Sequence, residues 1–465
     1  MVYIANKEMF VKIKTLVASL SLALVSSSSL ADTLSDVYQL ALKNDALMQA
    51  AEANYNAGKE NKNIFRAALL PQVNARYSRV ESDIDRSSYN AQQDAIIAGN
   101  TDTTSKTSSA SLGQALFNLP AWYGYQQGKE LTNAAEANYL YEKQNLIIRV
   151  ASAYFDVLRA QENLTSAKAE EKAISRQLEQ TQQRFEVGLI PITDVHEARA
   201  GYDLAVVARL AAEGGVSIAE EALTVVTGQS HANLWVLKDS FEAAVPSPQE
   251  PQQWVDWALA NNALLKASSF NVQAAKSNAD AKRAAHLPKV SAEFGWTDSE
   301  NDGTSFNSMV ADATDGTTIS LNVTVPIFAG GGTSAARRQA YQQYLAALES
   351  NKQAQRNTIQ FTRSQYINVL TGAAAVKARS QAITSAQSAL DATQAGYDVG
   401  TRNIVDVLNA QKNLYRTKRD YANARYEFVV NVLKLRQQAG LLDGGDIDTL
   451  QQSMTAPAAA TASGQ

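Results

Sequence analysis

Two stretches of this chain repeat each other block by block, which restricts the fold to architectures assembled from two similar units. Ala41-Leu42-Lys43-Asn44-Asp45-Ala46-Leu47 recurs as Ala258-Leu259-Ala260-Asn261-Asn262-Ala263-Leu264, and Arg66-Ala67-Ala68-Leu69-Leu70-Pro71 recurs at the same offset as Arg283-Ala284-Ala285-His286-Leu287-Pro288. Further on, Ile147, Ser152, Tyr154, Val157 and Leu158 match Ile359, Ser364, Tyr366, Val369 and Leu370, and Phe185-Glu186-Val187-Gly188 matches Tyr397-Asp398-Val399-Gly400. The offset shortens by a few residues between these blocks. The shortening falls around Asn90–Lys106 and Asn301–Gly316, polar stretches that the sequence predicts to be surface loops, where insertions are tolerated. Each unit reads helix, strand, loop, strand, long helix, turn, helix. The expected division is a first repeat over 32–229, a linker over 230–250, a second repeat over 251–440, and a C-terminal segment over 441–465 with a disordered tail from Thr455.

The chain begins with a candidate leader, residues 1–31. Lys7, Lys12 and Lys14 precede the apolar run Leu16–Val25, and Ser29-Leu30-Ala31 supplies a small-residue cleavage site, so the mature chain is expected to start near Asp32. Either Met1 or Met9 fits as the start. The sequence has no cysteine, which excludes disulfides, thiolate metal sites and an N-terminal lipid-acceptor thiol. With 42 Lys+Arg against 46 Asp+Glu, the charge balance gives no sign of a nucleic-acid partner. After the leader no apolar run reaches the ~18 residues of a spanning helix, so any passage through a membrane must use strands.

The predicted strands have a period of two. Val290, Ala292, Phe294 and Trp296 alternate with polar residues, as do Ile319, Leu321, Val323 and Val325. The first unit supplies Val73, Ala75 and Tyr77, with a weaker return strand at Ala110, Leu112 and Leu116. A soluble hairpin on a core gives the same alternation. The leader, and two copies of the hairpin set between very long helices, favour a transmembrane barrel. Four strands do not close a barrel, since small closed ones use ~8, so several chains must share it.

From Ala121 to Val187 there is no proline, and the uninterrupted part predicts a helix longer than roughly 80 Å. Ile147, Ala151, Tyr154 and Leu158 form a seam at coiled-coil spacing, and Glu142, Asn145, Arg149, Asp156 and Arg159 lie on the opposing faces, which fits a helix packed sideways on two neighbours with one face to water outside and another to water inside. Past the helix, Gly188 and Gly400 suit left-handed C-terminal caps, Thr193 and Asn403 sit near N-cap positions, and Asp194 and Asp406 favour a helix N-terminus. Both aspartates are open to a purely capping role or a functional one.

At these residues, above all Gly400-Thr401-Arg402-Asn403-Ile404-Val405-Asp406-Val407-Leu408, the chain resembles the TolC family of outer-membrane efflux and secretion channels, over nearly all the mature sequence to Gly440. The resemblance implies an α+β membrane protein: a homotrimer with a twelve-stranded outer-membrane barrel, four strands per chain, continued by a coiled-coil periplasmic tunnel. It implies gate latches in which Tyr397 bonds Asp194 and Arg402 reaches Thr193. It places Asp406 in an acidic pore ring, whereas the next ring position carries the neutral Asn409. It also implies outer-membrane lipid contact and docking of a periplasmic adaptor and an inner-membrane pump (of RND, ABC or MFS type) at the turns of Gly188 and Gly400. Neither catalytic residues nor a metal or other cofactor is implied, and His196, His231 and His286 have no nucleophile or ligand spacing. The alternative weighed is a periplasmic coiled-coil adaptor, which would carry its strands in compact soluble domains and not in a repeated two-strand insertion.

Overall fold

The computed structural model describes residues 32–231, 233–305 and 308–457; the leader and residues 458–465 lie outside them. The first repeat contains α1 (Leu34–Asn44), α2 (Ala46–Ala67), β1 (Gln72–Asn90), β2 (Ala95–Phe117), α3 (Leu119–Glu186) and α4 (Ile192–Thr227). After β3 (Val236–Leu237) the order recurs as α5 (Pro251–Asn261), α6 (Ala263–Ala284), β4 (Lys289–Ser305), β5 (Ser308–Thr324), α7 (Gly332–Asp398) and α8 (Ile404–Gln438), followed by α9 (Gly444–Gln451) and β6 (Met454–Thr455). The chain divides into two compact units, each drawing on both repeats.

One unit, Ala51–Tyr141 with Ala263–Asn357, holds the long strands. They form one antiparallel sheet in the order β1-β2-β4-β5. Register carries the apolar alternation straight across it: Val73 lies opposite Leu112, Leu112 opposite Phe294, and Phe294 opposite Ile319. All four side chains are exposed, Val73 at 73% and Ile319 at 83%. Water would penalise such a row by ~25 cal/mol per Å², so its proper surroundings are hydrocarbon. The outer edges of β1 and β5 carry no ladder partner within the sheet.

The hairpins are longer than the sequence predicts. Asn90–Lys106 and Asn301–Gly316, expected as loops, are mostly strand: β2 starts at Ala95, and β4 and β5 approach to Ser305 and Ser308. The ladder bonds backbone to backbone and so tolerates Thr-, Ser- and Asp-rich sequence that offers no apolar period to read. At 19 and 23 residues, β1 and β2 far exceed the ~9–11 that cross a bilayer.

The other unit, Met1–Ala50, Glu142–Asn262 and Thr358–Gln465, holds the helical core. The seam residues Ile147, Ala151, Tyr154 and Leu158 are all buried there. Arg149 and Asn145, on the faces opposing the seam, have partners: Arg149 Nη2 donates to Asp45 at 2.8 Å, and Gln437 Nε2 donates to Asn145 Oδ1 at 2.7 Å. The helix has neighbours on more sides than one seam accounts for. Tyr154 Oη donates to the carbonyls of Asp32 and Trp235, and β3 pairs with β6, so the segments after Thr227 and after Leu441 pack together. Thr455, placed in a disordered tail by its composition, is a strand residue opposite Val236.

Candidate gate at the helix turns

Both turns lie in the helical unit and are built alike. The α3 helix ends in a six-to-one bond from Leu189 N to Arg184 O, with Gly188 at φ 77°, and α7 ends in the same bond from Thr401 N to Gly396 O, with Gly400 at φ 78°. Left-handed backbone at both positions explains the glycines. The incoming helices start differently. Asn403 Oδ1 accepts from Asp406 N at 2.9 Å, a true N-cap, whereas α4 is capped by Pro191 without a side-chain bond, and Thr193 is inside its first turn. The expectation of Thr193 near the N-cap is thus corrected: the chain is already helical from Ile192, and Pro191, with extended backbone, holds the cap position.

Behind the turns, Ile174, Leu178, Ala198, Ala205, Tyr397, Ile404, Val407 and Leu408 form one buried cluster. Gly201 brings α4 against α8, since a Cβ there would lie 3.3 Å from Leu408 Cδ1. Tyr397 is 5% exposed and its hydroxyl has no hydrogen-bond partner, so the implied Tyr397–Asp194 bond is absent within the chain. Asp194 accepts instead from Thr193 Oγ1 at 3.4 Å. Arg402 does not reach Thr193 either. Its Nη1 lies 3.8 Å from Asp406 Oδ2, one helical turn ahead. Asp406 is half-buried and Asn409 exposed.

The contact that does tie the two turns together was not foreseen. Arg184 stacks its guanidinium 4.8 Å from the centre of the Tyr397 ring, and its Nη1 is 3.8 Å from Asp398 Oδ1. A repeat comparison carries the signal: Arg184 aligns with Gly396, and a Cβ on Gly396 would come within 2.8 Å of Arg402 Cγ. One copy puts a cation at the end of the outgoing helix, and the other empties that position so that Arg402 can fold over it. Beside this pair lies a cleft of about 720 Å³ lined by Arg176, Gln177, Gln180, Gln183, Gln394 and Gln411 among others. Gln177 Nε2 and Gln411 Oε1 are buried without partners. Deeper along α3, burial raises the Glu170 carboxyl above its usual range, with Arg419 and Lys412 pulling the other way.

With an exposed apolar hairpin sheet and paired helix turns established, comparison with known proteins identifies the family. The model for "Outer membrane efflux protein" matches residues 37–229 and 254–441. The chain belongs to the outer membrane efflux protein family. It is 35% identical to outer membrane protein TolC of Vibrio cholerae serotype O1, over 94% of this chain and 97% of that protein. It is 30% identical to the alkaline protease secretion protein AprF of Pseudomonas aeruginosa, over 92% of this chain and 88% of that one. Among solved structures, CusC superposes with a TM-score of 0.73 at 19% identity, covering 88% of this chain and 92% of that one. VceC of Vibrio cholerae gives 0.72 at 18%, covering 88% and 96%. As a family member the chain is an outer-membrane channel, seated in the Gram-negative outer membrane with its helices in the periplasm. It combines four strands per chain with a long-helix tunnel, and the adaptor alternative is not supported.

Proposed function

We propose that three copies form one duct, closed at its helix turns, that passively exports drugs, detergents or proteins once a periplasmic adaptor and an inner-membrane pump engage the turns at Gly188 and Gly400. The observation that carries this is the sheet whose apolar face is exposed and whose edge strands β1 and β5 each lack a partner. Open edges in hydrocarbon leave backbone groups unsatisfied at several kcal/mol each, and copies of the same sheet close them. The Arg184–Asp398 and Arg402–Asp406 pairs are the restraints on the closed state, and Asp406, repeated by symmetry, is its cation-selective ring. The exposed side of the cleft, with Arg176, Gln180 and Gln183, is a polar surface for an adaptor hairpin. Cargo follows the pump: the protease-secretion relative and the efflux family differ in what they export while sharing this chain architecture.

Planar-bilayer recording of the purified protein tests the duct. Asp406→Asn is expected to lower cation preference and relieve block by trivalent cations. Arg402→Ser, which bares Asp406 and frees the turn, is expected to raise both cation preference and conductance. Well-folded protein that forms no channel would sink the proposal, and an unchanged trivalent block would remove Asp406 from the pore.

A further inference from the structure

At the root of the β4–β5 hairpin, in the strand-bearing unit, α6 and α7 enclose a cleft of about 590 Å³. Its α7 wall is the stripe Ser334, Arg337, Arg338, Tyr341 and Gln342, residues spaced three and four apart and therefore on one helix face. Across from it stand Asp280 and Arg283. Three arginines thus share the cleft with one carboxylate, and none of the three is in an ion pair among the described residues. All three arginines are exposed on the cleft, and an anion that accepts from more than one guanidinium at once, for which phosphate geometry is suited, would offset their mutual repulsion.

A second feature fixes which phosphate. The segment joining β5 to α7 holds Ile327 and Phe328, 93% and 87% exposed, followed by Gly330 and Gly331 in left-handed backbone. Large side chains so fully bared next to a basic cleft form an amphipathic surface. That surface follows the end of β5, where the strands of the channel give way to its helices on the periplasmic side. We propose that this cleft is a binding site for the headgroup phosphate of an anionic phospholipid, with Arg283, Arg337 and Arg338 as its donors and Ile327 and Phe328 seated among the acyl chains. The site rests on the outer-membrane location and not on the gate, so the two stand or fall separately.

The test uses the full mature protein, equilibrated in mixed detergent micelles with equal amounts of phosphatidylglycerol and phosphatidylcholine, and reads retained lipid by native mass spectrometry. Retention of phosphatidylglycerol is expected to exceed that of phosphatidylcholine by on the order of tenfold at low salt. The triple variant Arg283→Gln, Arg337→Gln, Arg338→Gln is expected to abolish that preference, whereas the Arg→Lys triple variant keeps most of it and controls for folding. Ile327→Ser with Phe328→Ser should weaken retention of both lipids while leaving the preference intact. Equal retention of the two lipids, or a preference that survives the Gln variant, overturns the proposal. So does complete displacement by millimolar inorganic phosphate, which would mark a free-anion site. A change in oligomeric mass caused by the Gln variant would assign the cleft to a neighbouring copy of the chain and overturn it as well.

Discussion

At the scale of single residues, two carboxylates packed along α3 behave oppositely: Asp45, between α1 and α2, is buried against it, and Glu170, on it, is half-buried. Asp45 is 5% exposed on its side chain and is held by Arg149 at 2.8 Å. Removing the cation leaves the buried carboxylate only the Met48 backbone N–H, which donates to Asp45 Oδ1 at 2.6 Å, so Arg149→Met is expected to cost about 3 kcal/mol, read as a lower melting temperature, and Asp45→Asn should cost less. Glu170 is the contrary case. Its pKa is raised by burial, so the folded state penalises the charged form at pH values above both its folded and unfolded pKa. That penalty fades as pH falls through the raised value and is gone below the unfolded one. Glu170→Gln should therefore raise the melting temperature near neutral pH and lose that advantage in acid; a shift equal at both pH values would refute the assignment. Neither partner set was legible in sequence, because Asp45 and Arg149 are far apart along the chain and helix periodicity gives the face of a residue without saying who occupies it. Gly188, Gly400 and the Asn403 cap were legible, since their backbone conformations are local properties.

At the scale of elements, periodicity and the duplication together located the long helices and strands but measured the strands badly. The polar ends of β1 and β2 are ladder without an apolar face, so nothing in composition separates them from loop. The residues of β2 before Thr101 pair only with β1, and the β2–β4 ladder starts at Thr101. Replacing Arg86–Gly99 with a two-residue Asn-Gly turn should therefore leave the membrane-seated part of the sheet whole. The shortened protein is expected to assemble and conduct no less than the parent in bilayers; failure to assemble would show that the outer ladder is needed for folding. The same reasoning explains the missed β3–β6 pair, whose two-residue strands are far below the length at which alternation can be seen.

For the whole molecule, the open edges of β1 and β5 make a prediction that the absence of native cysteine makes easy to read. A cysteine at Ala75 combined in turn with one at Thr317, Ile319, Leu321 or Val323 should yield, for at least one pair, a disulfide-linked ladder that stops at three chains on a denaturing gel. A disulfide needs Cα atoms roughly 4.4–6.8 Å apart, so only strands adjacent across copies will join. No bond in any combination, or a ladder that runs past three, would refute the trimeric barrel. What the sequence by itself determined was the duplicated plan, the apolar strand faces, the coiled-coil seam and the glycine turns, because each is written in spacing along the chain or in local backbone preference. Only the tertiary structure decided which side chains meet at the turns, with Arg184 on Tyr397 and Asp398 and Arg402 on Asp406 in place of a Tyr397–Asp194 bond. Those pairings depend on how two long helices are rotated against each other, and small rotations that periodicity does not resolve move a side-chain end by the length of a hydrogen bond.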